Sequence, residues 1–199
     1  MIRQTSFPNY TQPDSTDCGP TCLRMISKHY GRSYSIQYLR ERSFLTSNGV
    51  SMLGISDAAE FLGYRTNGVR ATLEQLVTHV KKPCILHWNH DHFVVCYRIR
   101  RKKKNDDYDI YISDPAGEKY VMNKSEFLKC WTGQITDPDR KGIVLILEPT
   151  PAFYQQPEEK SKEKSLTYYF NYLKPYRREI LQLILGMLTG SLLALFPPS

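Results

Sequence analysis

A glutamine and a cysteine stand six residues apart in NYTQPDSTDCGPTCLRM, residues 9–25, and the cysteine, Cys18, opens an apolar helix pattern. Pro20 falls in the first turn of that helix, where a missing N–H leaves nothing unpaired. The free N–H groups of a first turn carry a partial positive charge, which favours a thiolate over a thiol. Gly19 lets another backbone or a substrate come close. Gln12 lies on the loop leading in and can fold back to set its side-chain N–H₂ beside the sulfur. Such an amide donor and thiolate suit acyl transfer, the amide facing the oxyanion of a tetrahedral intermediate. Taken singly, each residue also fits a plainer description, a buried core cysteine and a surface glutamine.

A thiolate nucleophile needs an imidazole to take and return the proton. Five histidines are available. His29 and His79 end helix patterns, where a cation is favourable for its own sake. The segment HWNHDHFVVCYRIR carries His87, His90 and His92. His92 opens a long strand pattern and so gains a rigid backbone at a sheet end, whereas His87 and His90 suit a turn. The three could also read as a metal cluster, but no carboxylate or cysteine at ligand spacing completes it. A third group would orient the imidazole. Asp114 ends the strand pattern of IYISDPAG; if strands 92–99 and 108–114 form a hairpin, His92 and Asp114 come level at the end away from its turn. Asp-Pro is equally an ordinary turn starter. The basic run RIRRKKKNDD, 98–107, reads as the solvated tip of that hairpin, with a site for acidic peptide or lipid headgroups as the alternative. Cys22, Cys84, Cys96 and Cys130 fall in apolar patterns and read as core.

These residues need elements to hold them. The chain has 199 residues, 41% of them hydrophobic and 24% charged, which is a globular composition. A net charge of +7 permits nucleic acid, anionic membrane or acidic peptide as a partner and selects none. The first ten residues lack the apolar run of a signal peptide, and five cysteines without framework spacing favour free thiols in a reducing compartment. Helix patterns fill 18–80: CGPTCLRMISKHY, SIQYLRERSF, SMLGISDAAEFLGY and TLEQLVTHV, the last three each opened by a Ser or Thr able to cap the first turn. From residue 84 the period changes to strands, CILHW, HFVVCYRIR, YDIYISD and GIVLILE, interrupted by a short helix KSEFLKCW. Helices followed by strands predict an α+β domain of two parts with a cleft between them. That domain is expected over 1–150, a polar linker over 151–166 and a third segment over 167–199. Ile180 to Phe196 are 17 residues without a charge, preceded by tyrosines and Lys174, Arg177 and Arg178. Aromatics and cations beside an apolar run predict the cytoplasmic end of a transmembrane helix cut short here. Neither a G-x-x-x-x-G-K-[ST] loop nor G-x-S-x-G occurs.

In order and spacing, Q-x5-C-G-P-x-C-L, HFVVCYRI, and ISDPAG with EFLKCWTG behind it resemble the N-terminal peptidase domain of peptidase-containing ABC transporters, the bacteriocin-processing cysteine peptidases of the double-glycine leader system. The resemblance runs from about residue 6 to 148. It implies a papain-like fold with an N-terminal helical lobe, a C-terminal antiparallel sheet lobe and the active site in the cleft. It implies Cys18 as nucleophile, His92 as general base and acid, Asp114 as its orienter, and Gln12 with the backbone N–H of Cys18 as the oxyanion hole. The implied substrate is a leader-bearing precursor peptide, cut after Gly-Gly or Gly-Ala, with a narrow glycine-lined approach to the sulfur as the expected reason for small residues. No cofactor is expected in this stretch; ATP and Mg belong to a nucleotide-binding domain elsewhere in such transporters. The implied partners are the transporter's own membrane and nucleotide-binding domains, a second copy in a homodimer, and the membrane through the C-terminal helix, with no nucleic acid. The implied location is the bacterial cytoplasmic membrane, peptidase on the cytoplasmic side. A related possibility is a peptidase-like domain that only docks the export substrate.

Overall fold

The computed structural model describes residues 7–44, 46, 49–102, 107–133, 141–157, 159 and 177–194. The chain forms two units, 1–161 and 162–199. In the first, α1 (Cys18–His29), α2 (Ile36–Arg42) and α3 (Met52–Phe61) precede β1 (Tyr64–Ala71), α4 (Leu73–His79), β2 (Cys84–Trp88), β3 (His92–Arg101), β4 (Tyr108–Ser113), β5 (Lys119–Met122), α5 (Lys124–Thr132), β6 (Gly142–Pro149) and α6 (Pro151–Gln155). The expected caps form. Ser35, Ser51 and Thr72 accept the N–H groups of Tyr38, Gly54 and Gln75, so each helix begins with one orphan donor satisfied. Asn123 and Glu126 make a reciprocal capping box on α5.

The strands build one antiparallel sheet in the order β1-β6-β2-β3-β4-β5. Alternation gives it two apolar faces. Ile85, Phe93, Val95, Leu145 and Leu147 pack with Leu23, Met25 and Ile26 of α1, Leu39 of α2 and Ile55 of α3. Leu86, Val94, Cys96, Ile110, Ile112 and Val144 pack on the other face with Leu73 and Leu76 of α4 and Phe127 and Trp131 of α5. A sheet apolar on both sides must be covered on both. The expected division into a helical part and a sheet part is therefore modified. The first three helices share a core with the sheet, α4 crosses to its far face, and β1, which lies among the predicted helices, pairs with the last strand from Tyr64↔Pro149 to Ala71↔Gly142.

The expected linker at 151–166 starts with structure. Phe153 of α6 is fully buried in the first core, its ring tilted against Tyr64 with centroids 4.4 Å apart. The backbone of α6 comes so close to Gly63 that a Cβ there would lie 2.5 Å from the Phe153 nitrogen, and Gly63 also has φ +91°. Both demands select glycine. In the second unit, α7 (Arg177–Ala194) has 18 residues and two arginines and a glutamate in its first turn. Among the described residues no helix is long and apolar enough to cross a membrane; residues 195–199, which complete the predicted 180–196 span, lie outside the described set.

Candidate active site

The N-terminal loop is laced to the turn after β4. The Ser113 hydroxyl donates to Asn9 Oδ1 at 2.6 Å, Asn9 Nδ2 donates to the Gly117 carbonyl, and the Gln12 N–H donates to the Pro115 carbonyl at 2.8 Å. A 3₁₀ turn, Ser15–Asp17, then feeds α1 and is capped reciprocally by Asp14 and Asp17. Asp17 is completely buried. Its carboxylate takes Arg40 Nε at 2.6 Å on Oδ1 and Arg40 Nη2 on Oδ2, a two-pronged pair from α2 that fixes the residue before Cys18. Cys18 is the first residue of α1 and is 5% exposed.

From the sheet comes His92, the first residue of β3, opposite Trp88. Its Nε2 lies 2.7 Å from Asp114 Oδ1. This leaves Nδ1 as the ring nitrogen for Cys18, which is close enough to help raise the His92 pKa. The expected hairpin of β3 and β4 forms, but the two ends are not level. Pairing stops at Val95↔Ser113, and an irregularity between Cys96 and Arg98 shifts the register by one. His92 and Asp114 therefore meet diagonally, within reach of side chains of their length. The hairpin closes with the Lys102 N–H on the Asp107 carbonyl and Lys102 Nζ on Asp107 and Asp109; tip residues 103–106 of the basic run lie outside the described residues.

Burial works against a charged His92, but the hydrogen bonds to Asp114 and Cys18 and their negative charges win, lifting its pKa to about 9. Burial likewise pushes Asp114 up, and hydrogen bonds from His92, the Ala116 N–H (2.8 Å) and the Tyr120 hydroxyl (3.3 Å) bring it below the ordinary carboxylate range. Tyr120, on β5, is raised by its own burial and by Asp114, an effect that nearby Trp88 partly offsets. Tyr120 and His92 thus meet on opposite oxygens of the Asp114 carboxylate. Cys22, one turn after Cys18, contrasts with it. It is fully buried, which drives its pKa well up, and its thiol donates to the Phe93 carbonyl at 3.3 Å.

The structure brings Cys18, His92 and Asp114 together from α1, β3 and the β4 end. It places Gln12 on the loop leading to Cys18, but with its amide engaged elsewhere: Nε2 donates to the Ser15 carbonyl at 3.2 Å, and Oε1 is buried without a partner among the described residues. The glycine-lined approach expected of Gly19 is not what that residue provides. A Cβ there would run into Val50 and Ile55, so Gly19 serves the close packing of α1 on the start of α3. His29 packs on Phe7 and His87 on Phe93, while His79 sits in the last turn of α4. Among the described residues no three His, Cys, Asp or Glu side chains group to hold a metal. Sequence reasoning missed two contributors, Tyr120 and the Asp17–Arg40 pair. The signal for Tyr120 was a return strand after the Asp-Pro-Ala-Gly turn, too short to register; the pair carried no local signal, being 23 residues apart.

A nucleophile at a helix start, an imidazole on a strand and a carboxylate orienting it can carry out acyl transfer through a thioester. The sequence profile of the Peptidase C39 family matches residues 6–141. The chain is 33% identical over 130 residues to the colicin V secretion/processing ATP-binding protein CvaB of Escherichia coli, covering 65% of this chain and 18% of that protein. It is 37% identical over 139 residues to the lactococcin-G-processing and transport ATP-binding protein LagD of Lactococcus lactis subsp. lactis, again 65% and 18%. The chain thus spans less than a fifth of either relative. A solved double glycine motif protease from an AMS/PCAT transporter, in complex with its leader peptide, superposes with a TM-score of 0.61 at 29% identity, covering 72% of this chain and 91% of that one. The match to the family profile spans well over half of the sequence, and the chain belongs to the Peptidase C39 family of cysteine peptidases.

Proposed function

We propose that this chain carries a thiol endopeptidase that removes a double-glycine-type leader from a precursor peptide before or during its ATP-driven export. The observation that carries the reading is the meeting of Cys18 with the hydrogen-bonded pair His92 and Asp114, drawn from three separate elements. Cys18 attacks the scissile carbonyl as thiolate. The oxyanion is stabilised by the Cys18 N–H and by the Gln12 amide, once that side chain leaves the Ser15 carbonyl. His92 gives its proton to the departing amine as the C–N bond breaks, leaving the leader as a thioester on Cys18. His92 then takes a proton from water, which attacks the thioester and frees the leader carboxylate and the thiol. Asp114, held by Tyr120 and the Ala116 N–H, keeps the imidazole oriented and favours its charged form.

The names of the relatives, which pair processing with secretion or transport and ATP binding, support a place in an exporter. In this reading residues 1–150 hold the peptidase, the polar stretch within 151–166 is the connection, and 167–199 begin the membrane part. The domain faces the cytoplasm at the cytoplasmic membrane of a bacterium and works beside the exporter's membrane and nucleotide-binding domains in a homodimer. It needs no cofactor of its own and no nucleic acid; ATP and Mg act only on the nucleotide-binding domain. A docking domain that binds the precursor without cutting it is the competing reading. Incubation with a peptide carrying a leader that ends in Gly-Gly separates the two by mass spectrometry. Cleavage after the second glycine, lost in Cys18→Ala, is the expected result. A peptide that binds and stays intact with the unsubstituted protein assigns the docking role instead.

A further inference from the structure

The reaction above leaves one cluster of ionisable side chains unused. Arg70, His87, His90 and Lys141 line a pocket of about 410 Å³ in which, among the described residues, no carboxylate takes part. Arg70 and Lys141 are exposed and have no ion pair among the described residues. The His90 ring lies against Gly133, where a Cβ would be 3.3 Å from its Cε1 and Nε2. Gly133 ends α5, so His90 sits at that helix's C-terminus. Asn89 and His90 both have positive φ, 47° and 74°, which fixes the tight turn between β2 and β3 and with it the side chains of His87 and His90.

The pocket's place in the sheet gives it a use. Antiparallel pairing sets Ala71 opposite Gly142 and Trp88 opposite His92, and the β2–β6 register Leu86↔Val144 brings Gly142 to the same end as Trp88. His92, Trp88, Gly142 and Ala71 thus lie along one edge of the sheet. Strands are spaced about 4.8 Å apart, so the backbone of Arg70 and Lys141 stands on the order of 10–15 Å along that edge from His92. An extended peptide covers this distance in about three to four residues.

We propose that the pocket is a specificity subsite, which takes the carboxylate of an acidic residue of the substrate peptide about three to four residues from the bond that is cut. The proposal rests on the peptidase reading. The Arg70 fork can hold both carboxylate oxygens, Lys141 adds positive charge beside it, and the His87 and His90 rings can offer an N–H donor. The test uses a set of otherwise neutral Gly-Gly peptides in which Asp or Glu is placed singly at each position from two to six on either side of the cut, with kcat/KM measured by mass spectrometry. One position three or four from the cut is expected to raise kcat/KM about tenfold over the neutral peptide, and 0.5 M salt is expected to remove most of that gain. In Arg70→Gln/Lys141→Gln the acidic-to-neutral ratio is expected to fall to about one. Equal turnover of all peptides, or an acidic preference that survives the double substitution, overturns the subsite while the cutting of the neutral peptide leaves the peptidase reading standing. Inhibition of every peptide alike by millimolar phosphate, without acidic preference, assigns the pocket to a free anion and overturns it too. No cutting of any peptide refutes the peptidase reading, and the subsite with it.

Discussion

His92 carries the electrostatics of the site. Its pKa in the folded protein, about 9, lies above the ordinary 6.5. The stability it contributes is therefore fully present below about pH 6.5 and is lost as the pH rises through about 9. Asp114 runs the other way. Its folded pKa is depressed, so its contribution is present above the ordinary carboxylate range and is lost as pH falls through the lowered value. If imidazolium is the form that holds the thiolate, kcat/KM for leader cleavage stays up on the alkaline side until about pH 9. Asp114→Asn removes the main partner holding that charge. Its alkaline limb is expected to move toward neutral pH, with kcat down a hundredfold or more. An unmoved limb counts against the pairing. Tyr120→Phe takes one donor from Asp114, and the expected result is an acid limb shifted upward with the alkaline limb still governed by His92. Gln12→Ala is expected to lower kcat about a hundredfold and leave KM nearly unchanged; a KM effect alone would make Gln12 a binding residue. The identity and order of Cys18, His92 and Asp114 could be read from the sequence because each ends or opens a strong pattern. The hydrogen bond that ties the Gln12 amide to the Ser15 carbonyl could not, since both lie in an irregular loop whose hydrogen bonds no period reveals.

At the scale of elements, strong periods and caps were legible, and sparse or short ones were not. The helix openings at Ser35, Ser51 and Thr72 follow from their side chains. Strand β1, YRTNGVRA, has Arg, Asn and Gly where β-formers are expected, and only its two end residues are buried; it is a strand because β6 supplies its hydrogen bonds. Strand β5 has four residues, too few for alternation to register. Helix α6 hides in a polar stretch and is held by Phe153 in the core and by the Thr150 hydroxyl on the Gly63 carbonyl. Phe153→Ala is expected to lower unfolding free energy by about 3–5 kcal/mol, measured by denaturant titration. A change of less than about 1 kcal/mol would mean that α6 is peripheral after all. Arg40→Met leaves the Asp17 carboxylate buried without its partner. A loss of about 3 kcal/mol or more is expected, with a lower Tm that partly recovers when Asp17→Asn is added. No recovery would place the effect of Arg40 in its packing rather than its charge.

For the molecule as a whole, Cys18, His92 and Asp114 meet because helices and sheet share one core. Cys18 starts a helix packed on one face of the sheet, and His92 and Asp114 stand at the end of two neighbouring strands. The prediction of helices followed by strands captured the ingredients but not this arrangement, because strand order and the crossing of β6 between β1 and β2 depend on distant partners. The whole account depends on His92 holding Cys18 as a thiolate. The most direct measurement is the rate at which iodoacetamide alkylates each of the five cysteines at pH 6, followed by peptide mapping. Cys18 is expected to react first and by a wide margin, and to lose that lead in His92→Ala. Equal or slower labelling of Cys18, or a lead that His92→Ala leaves intact, would contradict the account.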